Sequence, residues 1–211
     1  MAQLTLDQVE DFAQRFYGGE GRVGDVSQNY SRDEIIAFIR DNIAQLCAEV
    51  EGMSPEQLAY RLPGAPSGPD DSGDEEHFDT SQIMTHMASG TAFHWWNITR
   101  ALRHDRPPMP KPPEGVTITG KNKNGMGRGG WQGIPAQDLC EMVHDTSEGL
   151  VDYVKQLPLD TGAARSSFSF FNNLSPHDWL FVVAIHAGMH LKQVRDMKSR
   201  PDFPTSPHPT G

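Results

Sequence analysis

A chain of 211 residues with 36% hydrophobic content supports one sizeable core and does not support two independent domains. Asp and Glu number 28 against 18 Lys and Arg, a formal charge of −10, so the average surface repels nucleic acid and anionic membranes alike. Only Cys47 and Cys140 are present, in no C-x-x-C arrangement, which argues against a disulfide scaffold and a cysteine-ligated metal and fits a reducing compartment.

The first residues show no basic stretch followed by an apolar run, and no apolar segment reaches about 18 residues, so a cytoplasmic location without membrane contact is expected. Thr5-Leu6-Asp7-Gln8 has the capping-box pattern and opens a short amphipathic helix through Val9, Phe12, Ala13 and Phe16, stopped by Gly18-Gly19. Residues 20–30 are glycine-rich and read as irregular. A second capping box, Ser31-Arg32-Asp33-Glu34, heads the first main helix, whose apolar positions run from Ile35 to Val50 before Gly52 ends it. Ser54-Pro55-Glu56-Gln57 starts another short turn, and residues 63–78, nearly devoid of apolar side chains, read as an exposed acidic loop.

Asp79 or Thr80 caps the second main helix, which carries Ile83, Met84, Met87, Phe93, Trp96, Ile98 and Leu102 and should run to about Arg103. Residues 105–134, with PPMPKPP and then GKNKNGMGRGGWQG, form a connection long enough to suspect a lid or binding loop. Pro135 at the first helical position begins the third main helix, marked by Leu139, Met142, Val143, Leu150, Val151 and Val154 and closed before Pro158. Ser166 to Phe171 is either a short strand or an extended hinge, and Ser175-Pro176-His177-Asp178 caps the fourth main helix, which continues to about Ser199 ahead of a proline-rich tail, 201–211. The expected fold is all-α: a four-helix bundle with long crossover loops and an additional short N-terminal helix, one domain over 1–211 with its core in about 31–200.

His186 and His190 lie four residues apart on the last helix, about 40° apart around its axis, and share a stripe with Trp179, Val182, Val183, Met189, Val194 and Met197. Such a pair in an arbitrary helix is ordinarily two core imidazoles satisfied by carbonyls or an acid. His86, on a helix of matching length, shifts the balance, because a bundle aims a side chain from one helix at an i, i+4 pair on a facing one. Three imidazoles with open positions are a catalytic arrangement for one divalent metal, so His86, His186 and His190 are the candidate ligands. His94 lies eight residues beyond His86, about 12 Å along the axis, too far for both to reach one ion. His94, His104 and His144 are therefore read as surface or satisfied histidines, and His177 and His208 have less claim still.

Trp95 and Trp96 are read as core aromatics rather than a pocket wall. Lys121, Lys123 and Arg128 make the glycine-rich segment locally positive and are candidates for attracting a carboxylate-bearing substrate or thiol, although a solvated loop is the plainer reading. Cys47 and Cys140, with no base beside either in sequence, read as small buried hydrophobes.

SQIMTHM around His86, AIHAGMH ending at His190, the helix start LSPHDWL and MSPEQL at 53–58 together resemble the DinB-like family of four-helix bundles over roughly residues 31–200. The resemblance implies a three-histidine metal site, often zinc or nickel, frequent homodimers, and thiol transfer with a low-molecular-weight thiol. Relatives include such transferases and a mycothiol-dependent maleylpyruvate isomerase. The additional N-terminal helix, the acidic loop and the 105–134 connection depart from a compact member. The expectation is a metal-dependent enzyme of thiol-transfer type acting on a small molecule; a metal-dependent hydrolase, and a non-catalytic dimeric binding or stress-response protein with a structural metal, remain open. The sequence assigns no general acid or base.

Overall fold

The computed structural model describes residues 4–17, 19–63, 78–111, 117–118, 131–158, 164–168 and 171–205. In chain order, the helices among them are α1 (Leu6–Tyr17), α2 (Val23–Ser27), α3 (Arg32–Val50), α4 (Pro55–Leu58), α5 (Thr80–Leu102), α6 (Ala136–Gln156) and α7 (Pro176–Lys198). Two small antiparallel pairs accompany them: β1 (Thr117–Ile118) with β2 (Trp131–Gln132), and β3 (Ser166–Phe168) with β4 (Phe171–Leu174). The chain is mostly helical, and among the described residues no helix is long and apolar enough to cross a membrane. Most of the acidic 63–78 segment lies outside the described residues, as do Lys121, Lys123 and Arg128.

Helix starts follow local chemistry closely. Ser31, Ser54, Asp79 and Ser175 each accept the N3 amide, and Glu34, Gln57, Gln82 and Asp178 return the bond to the cap's own N–H. Each such cap is worth about 1 kcal/mol. α6 departs from this pattern: Pro135 stands at its N-cap, one position outside the expected site, and makes no side-chain bond there.

α2 occupies a stretch that reads as irregular, and it too lacks a side-chain cap. Its support comes from far along the chain: Ser27 Oγ donates to Asp178 Oδ1 at 2.5 Å, and His177 Nε2 lies 3.0 Å from the Ser27 carbonyl oxygen. Five residues cannot nucleate a helix alone, so the contact with the head of α7 decides the outcome. Asp178 therefore serves two helices, since its other oxygen accepts from Ser175 N and Oγ.

α7 is buried on every side: Trp179 through Gly188 are all buried in sequence, and α1, α2, α3 and α5 pack around it. A helix apolar around its whole circumference has to be enclosed, and fully burying a side chain as large as Phe181 contributes about 2 kcal/mol or more. α5 is enclosed similarly by α6, α7, α4, β2 and β3, while α3 packs on both α7 and α6. The additional helix α1 closes the remaining side of α7, with Phe12 6.1 Å from Phe181 between ring centroids and Tyr30 stacked on Phe181 at 5.5 Å.

Charged groups fasten the outer seams. Glu49 on α3 accepts from Arg195 Nε at 2.9 Å and Lys198 Nζ at 2.6 Å on α7; these cations, Lys198 foremost, hold its carboxyl below the usual range. Arg40 on α3 pairs with Glu148 on α6. Such half-exposed pairs add no more than about 1 kcal/mol each, so they set register rather than stability. Arg32 Nη1 donates to the carbonyls of Val154 (3.1 Å) and Leu157 (2.9 Å), satisfying the C-terminal end of α6.

α1 meets α7 at Gly188, where a Cβ would stand 2.9 Å from Val9 Cγ1 and 3.1 Å from Cγ2. Val is stiff at χ1 in a helix, so the contact has little room to give. Gly188→Ala should therefore destabilise the protein by about 1–2 kcal/mol despite Ala's better helix propensity. Val9→Ala in the same background should recover part of that loss. Urea unfolding of the four proteins in a double-mutant cycle checks this; a stabilised Gly188→Ala would contradict the packing.

Candidate metal centre

α5 and α7 pack side by side, and three imidazoles meet in their seam. His86 comes from α5; His186 and His190, one turn apart on α7, are 3% and 1% exposed, while His86 is half-buried. His186 Nε2 lies 2.9 Å from His86 Nε2 and 3.1 Å from His190 Nε2, and the three donor atoms all fall within 4.8 Å of one another. Among the described residues no other His, Cys, Asp or Glu belongs to this group.

The tautomers follow from the neighbours. His190 Nδ1 lies 2.8 Å from Gln193 Oε1, an acceptor, so the proton sits on Nδ1 and the Nε2 lone pair points into the cluster. His186 Nε2 then faces two ring nitrogens at once. Carrying a proton it serves one of them; without a proton it adds a third lone pair. The other nitrogen of that ring, Nδ1, is buried without a partner. A ring nitrogen carries at most one proton, so His186 Nε2 cannot donate to both neighbours at once.

A divalent cation resolves this conflict. Nitrogens bound tetrahedrally at about 2.0–2.1 Å stand about 3.3–3.4 Å apart, within a few tenths of an ångström of the two shorter separations here. Soft thiolates are absent from the donor set, and three neutral imidazoles suit a transition-metal ion rather than calcium or magnesium. The residues present fit one divalent metal.

The surroundings hold the rings in place. Phe78, 1% exposed, meets His86 edge-on with centroids 5.4 Å apart. Gly90, one turn beyond His86, makes room for His186: a Cβ there would lie 2.9 Å from the imidazole Cε1. Behind His186 stands His94, edge-on at 5.7 Å and itself stacked on Trp179 at 5.5 Å. Trp179 Nε1 donates to Ser166 Oγ (2.7 Å), which donates to the Asn97 carbonyl (2.8 Å), so β3 ties α7 to α5 directly behind the cluster.

His94 thus departs from the sequence expectation. It is neither at the surface nor satisfied at Nδ1, which is buried without a partner, and it does not belong to the donor group. The other histidines lie elsewhere: His104 Nδ1 is 2.7 Å from Tyr153 Oη, His144 is exposed beside Asp145, and His177 supports α2. Trp95 and Trp96 are half-buried. Trp95 packs beside Tyr153, and the Arg106 guanidinium lies 4.8 Å from the Trp96 ring centre. Gln193, Gly90 and Phe78 carry site roles that sequence spacing did not single out, although Gln193 does sit at i+3 from His190.

No protein-family model matches the chain, and no curated protein or solved structure is significantly similar to it.

Burial, reinforced by the neighbouring rings of His190, His86 and His94, holds His186 well below the ordinary histidine range, and burial alone brings His94 down to about 4. Both are neutral at pH 7, the form that coordinates metal. In the unfolded chain each titrates near 6.5, so the unfolded state takes up protons first as pH falls. Stability contributed by neutral His94 is complete above about pH 6.5 and is lost as pH drops toward its folded value, about 3 kcal/mol by pH 4. Urea unfolding of chelator-treated protein from pH 7 to pH 4 should show this decline, and His94→Phe should make it shallower. Parallel profiles for the two proteins would contradict the assignment.

Proposed function

We propose that the chain is a DinB-like four-helix bundle in which His86, His186 and His190 hold one divalent metal, zinc or nickel, and that it is a metal-dependent enzyme of the thiol-transfer type. The observation that carries the reading is the convergence of three ring nitrogens from α5 and α7, two of them 2.9 and 3.1 Å from the third. The likeness of SQIMTHM and AIHAGMH to the family's wording supports both the bundle and the choice of a thiol over water. Three protein donors rather than four is the count of catalytic rather than structural zinc sites.

When bound, the ion supplies an electrophilic centre that lowers the pKa of a thiol, or of water, brought to it. The chain's own residues do the rest. Neutral imidazoles leave the ion's charge uncompensated. Gln193 orients His190 by accepting a hydrogen bond from its Nδ1–H, Phe78 covers His86, and Trp179 backs the His94 ring behind His186. Half-buried His86 marks the side from which a small substrate approaches. Lys121, Lys123 and Arg128, which lie outside the described residues, would attract an anionic thiol or carboxylate by their charge. A cytoplasmic homodimer completes the proposal.

Elemental analysis of the purified protein should find up to one divalent metal per chain. His86→Ala, His186→Ala and His190→Ala should each remove most of it, and His94→Ala should retain it. Loss from His94→Ala with retention in His86→Ala would overturn the ligand set. Thiol-transfer activity should disappear with chelator and return with the metal; hydrolysis that does so instead points to the water route, and inactivity of the loaded protein in both assays points to a non-catalytic role.

A subtler variant probes the support of the rings. Gly90→Ala places a methyl 2.9 Å from the His186 ring while improving helix propensity, so it should weaken metal binding about tenfold with helix content unchanged. Competition with a chromogenic chelator reads this; unaltered affinity would mean that Gly90 is not a packing requirement of the site.

A further inference from the structure

Cys47 on α3 and Cys140 on α6 face each other across a seam of long helices that the histidine cluster does not touch. Cys47 Sγ lies 3.8 Å from the Cys140 carbonyl oxygen, and Cys140 Sγ lies 3.7 Å from the Cys47 carbonyl oxygen. These reciprocal contacts run the two side chains past each other, so each sulfur reaches the other's backbone. Both thiols are free and only half-buried, which leaves them open to a small oxidant. Because 93 residues separate them, nothing in the local sequence of either announces the other.

Neighbouring groups divide the roles. The neighbouring Cys140 side chain eases ionisation of Cys47 against the opposing effects of partial burial and Glu51. Cys140 is pushed well above the usual thiol range by the neighbouring Cys47 sulfur and by partial burial. The more acidic thiol is the one that attacks, and the other resolves.

We propose that Cys47 and Cys140 form a peroxide-reactive dithiol that closes to an intramolecular disulfide joining α3 to α6. The Cys47 thiolate attacks one oxygen of hydrogen peroxide, the O–O bond breaks, and the departing oxygen leaves as water after taking up a proton, which makes Cys47 a sulfenic acid. Cys140 sulfur then attacks Cys47 sulfur, the S–O bond breaks, and the hydroxyl leaves with the Cys140 proton as a second water. Two thiols are oxidised by two electrons and one peroxide is reduced to two waters. Each sulfur already lies within 3.8 Å of the other residue's carbonyl oxygen, so closing the link asks the two side chains to rotate toward each other. The closed loop contains α4 and α5, and with them His86, yet the thiols and the imidazoles belong to different helix pairs. This inference is therefore independent of the metal reading.

The test uses the full chain, reduced, treated with chelator and exposed to hydrogen peroxide, with remaining thiols then blocked by N-ethylmaleimide. Intact mass under denaturing conditions should show a monomer two hydrogens lighter and unlabelled. Non-reducing peptide mapping should join the Cys47 and Cys140 peptides, and dithiothreitol should restore labelling of both. The same exposure in urea should form the link more slowly. Sulfinic acids without the link, disulfide-joined dimers, unchanged labelling, or equal rates in urea would each overturn the proposal.

Discussion

Two helices buried over much of their length are pressed together along a seam that also contains three imidazoles, and the rest of the molecule is organised around that juxtaposition. α7 has to be enclosed because its run from Trp179 to Ile185 is apolar, whereas α5 buries Thr, Ser, Gln and Asn side chains beside its apolar ones. The seam between them nevertheless carries imidazole nitrogens: buried His186 Nε2 faces two imidazole neighbours at once, and its Nδ1 has no partner. Local rules of polar satisfaction are broken at this place and kept at the helix caps, the pattern expected where a fold gives up stability to hold a ligand. A bound cation turns the conflict into coordination, and because it would bind only the folded chain, folding and metal binding become one coupled equilibrium.

The outer elements are best understood as the means of enclosure. α1 covers the side of α7 that α3 and α5 leave open, meeting it where Gly188 allows Val9 to approach. α2 is held to the head of α7 by Ser27 and Asp178, and the β3–β4 hairpin bridges α5 and α7 through Ser166. This last bridge matters to the site because Trp179, fixed by its indole bond to Ser166, carries the stacked His94 that backs His186. Ring orientation at the cluster is thus determined by a path that runs out to a surface hairpin and returns, a common way for distant groups to position metal ligands.

Much of the helical frame was legible from the amino-acid order because its signals are local. Ser31, Ser54, Asp79 and Ser175 each stand three residues before the side chain that completes the cap, and the i, i+4 spacing of His186 and His190 makes them share a face. Separation along the axis likewise distinguished His86 from His94. What could not be read depends on partners remote in sequence. α2 relies on Asp178, 151 residues from Ser27, and the facing of Cys47 and Cys140 spans 93. Nothing local marks Gly90, whose place depends on the His186 ring packed against it from another helix. Axial separation set His94 apart from His86, but its burial against Trp179 was not legible, since that contact needs a helix crossing that periodicity alone does not specify.

The claim on which everything turns is that these imidazoles are metal ligands, and X-ray absorption spectroscopy of the metal-loaded protein addresses it most directly. The expected spectrum has three nitrogen scatterers at about 2.0–2.1 Å with the outer-shell multiple scattering of imidazole rings. A sulfur shell near 2.3 Å, or a shell of oxygen alone without imidazole scattering, would contradict it.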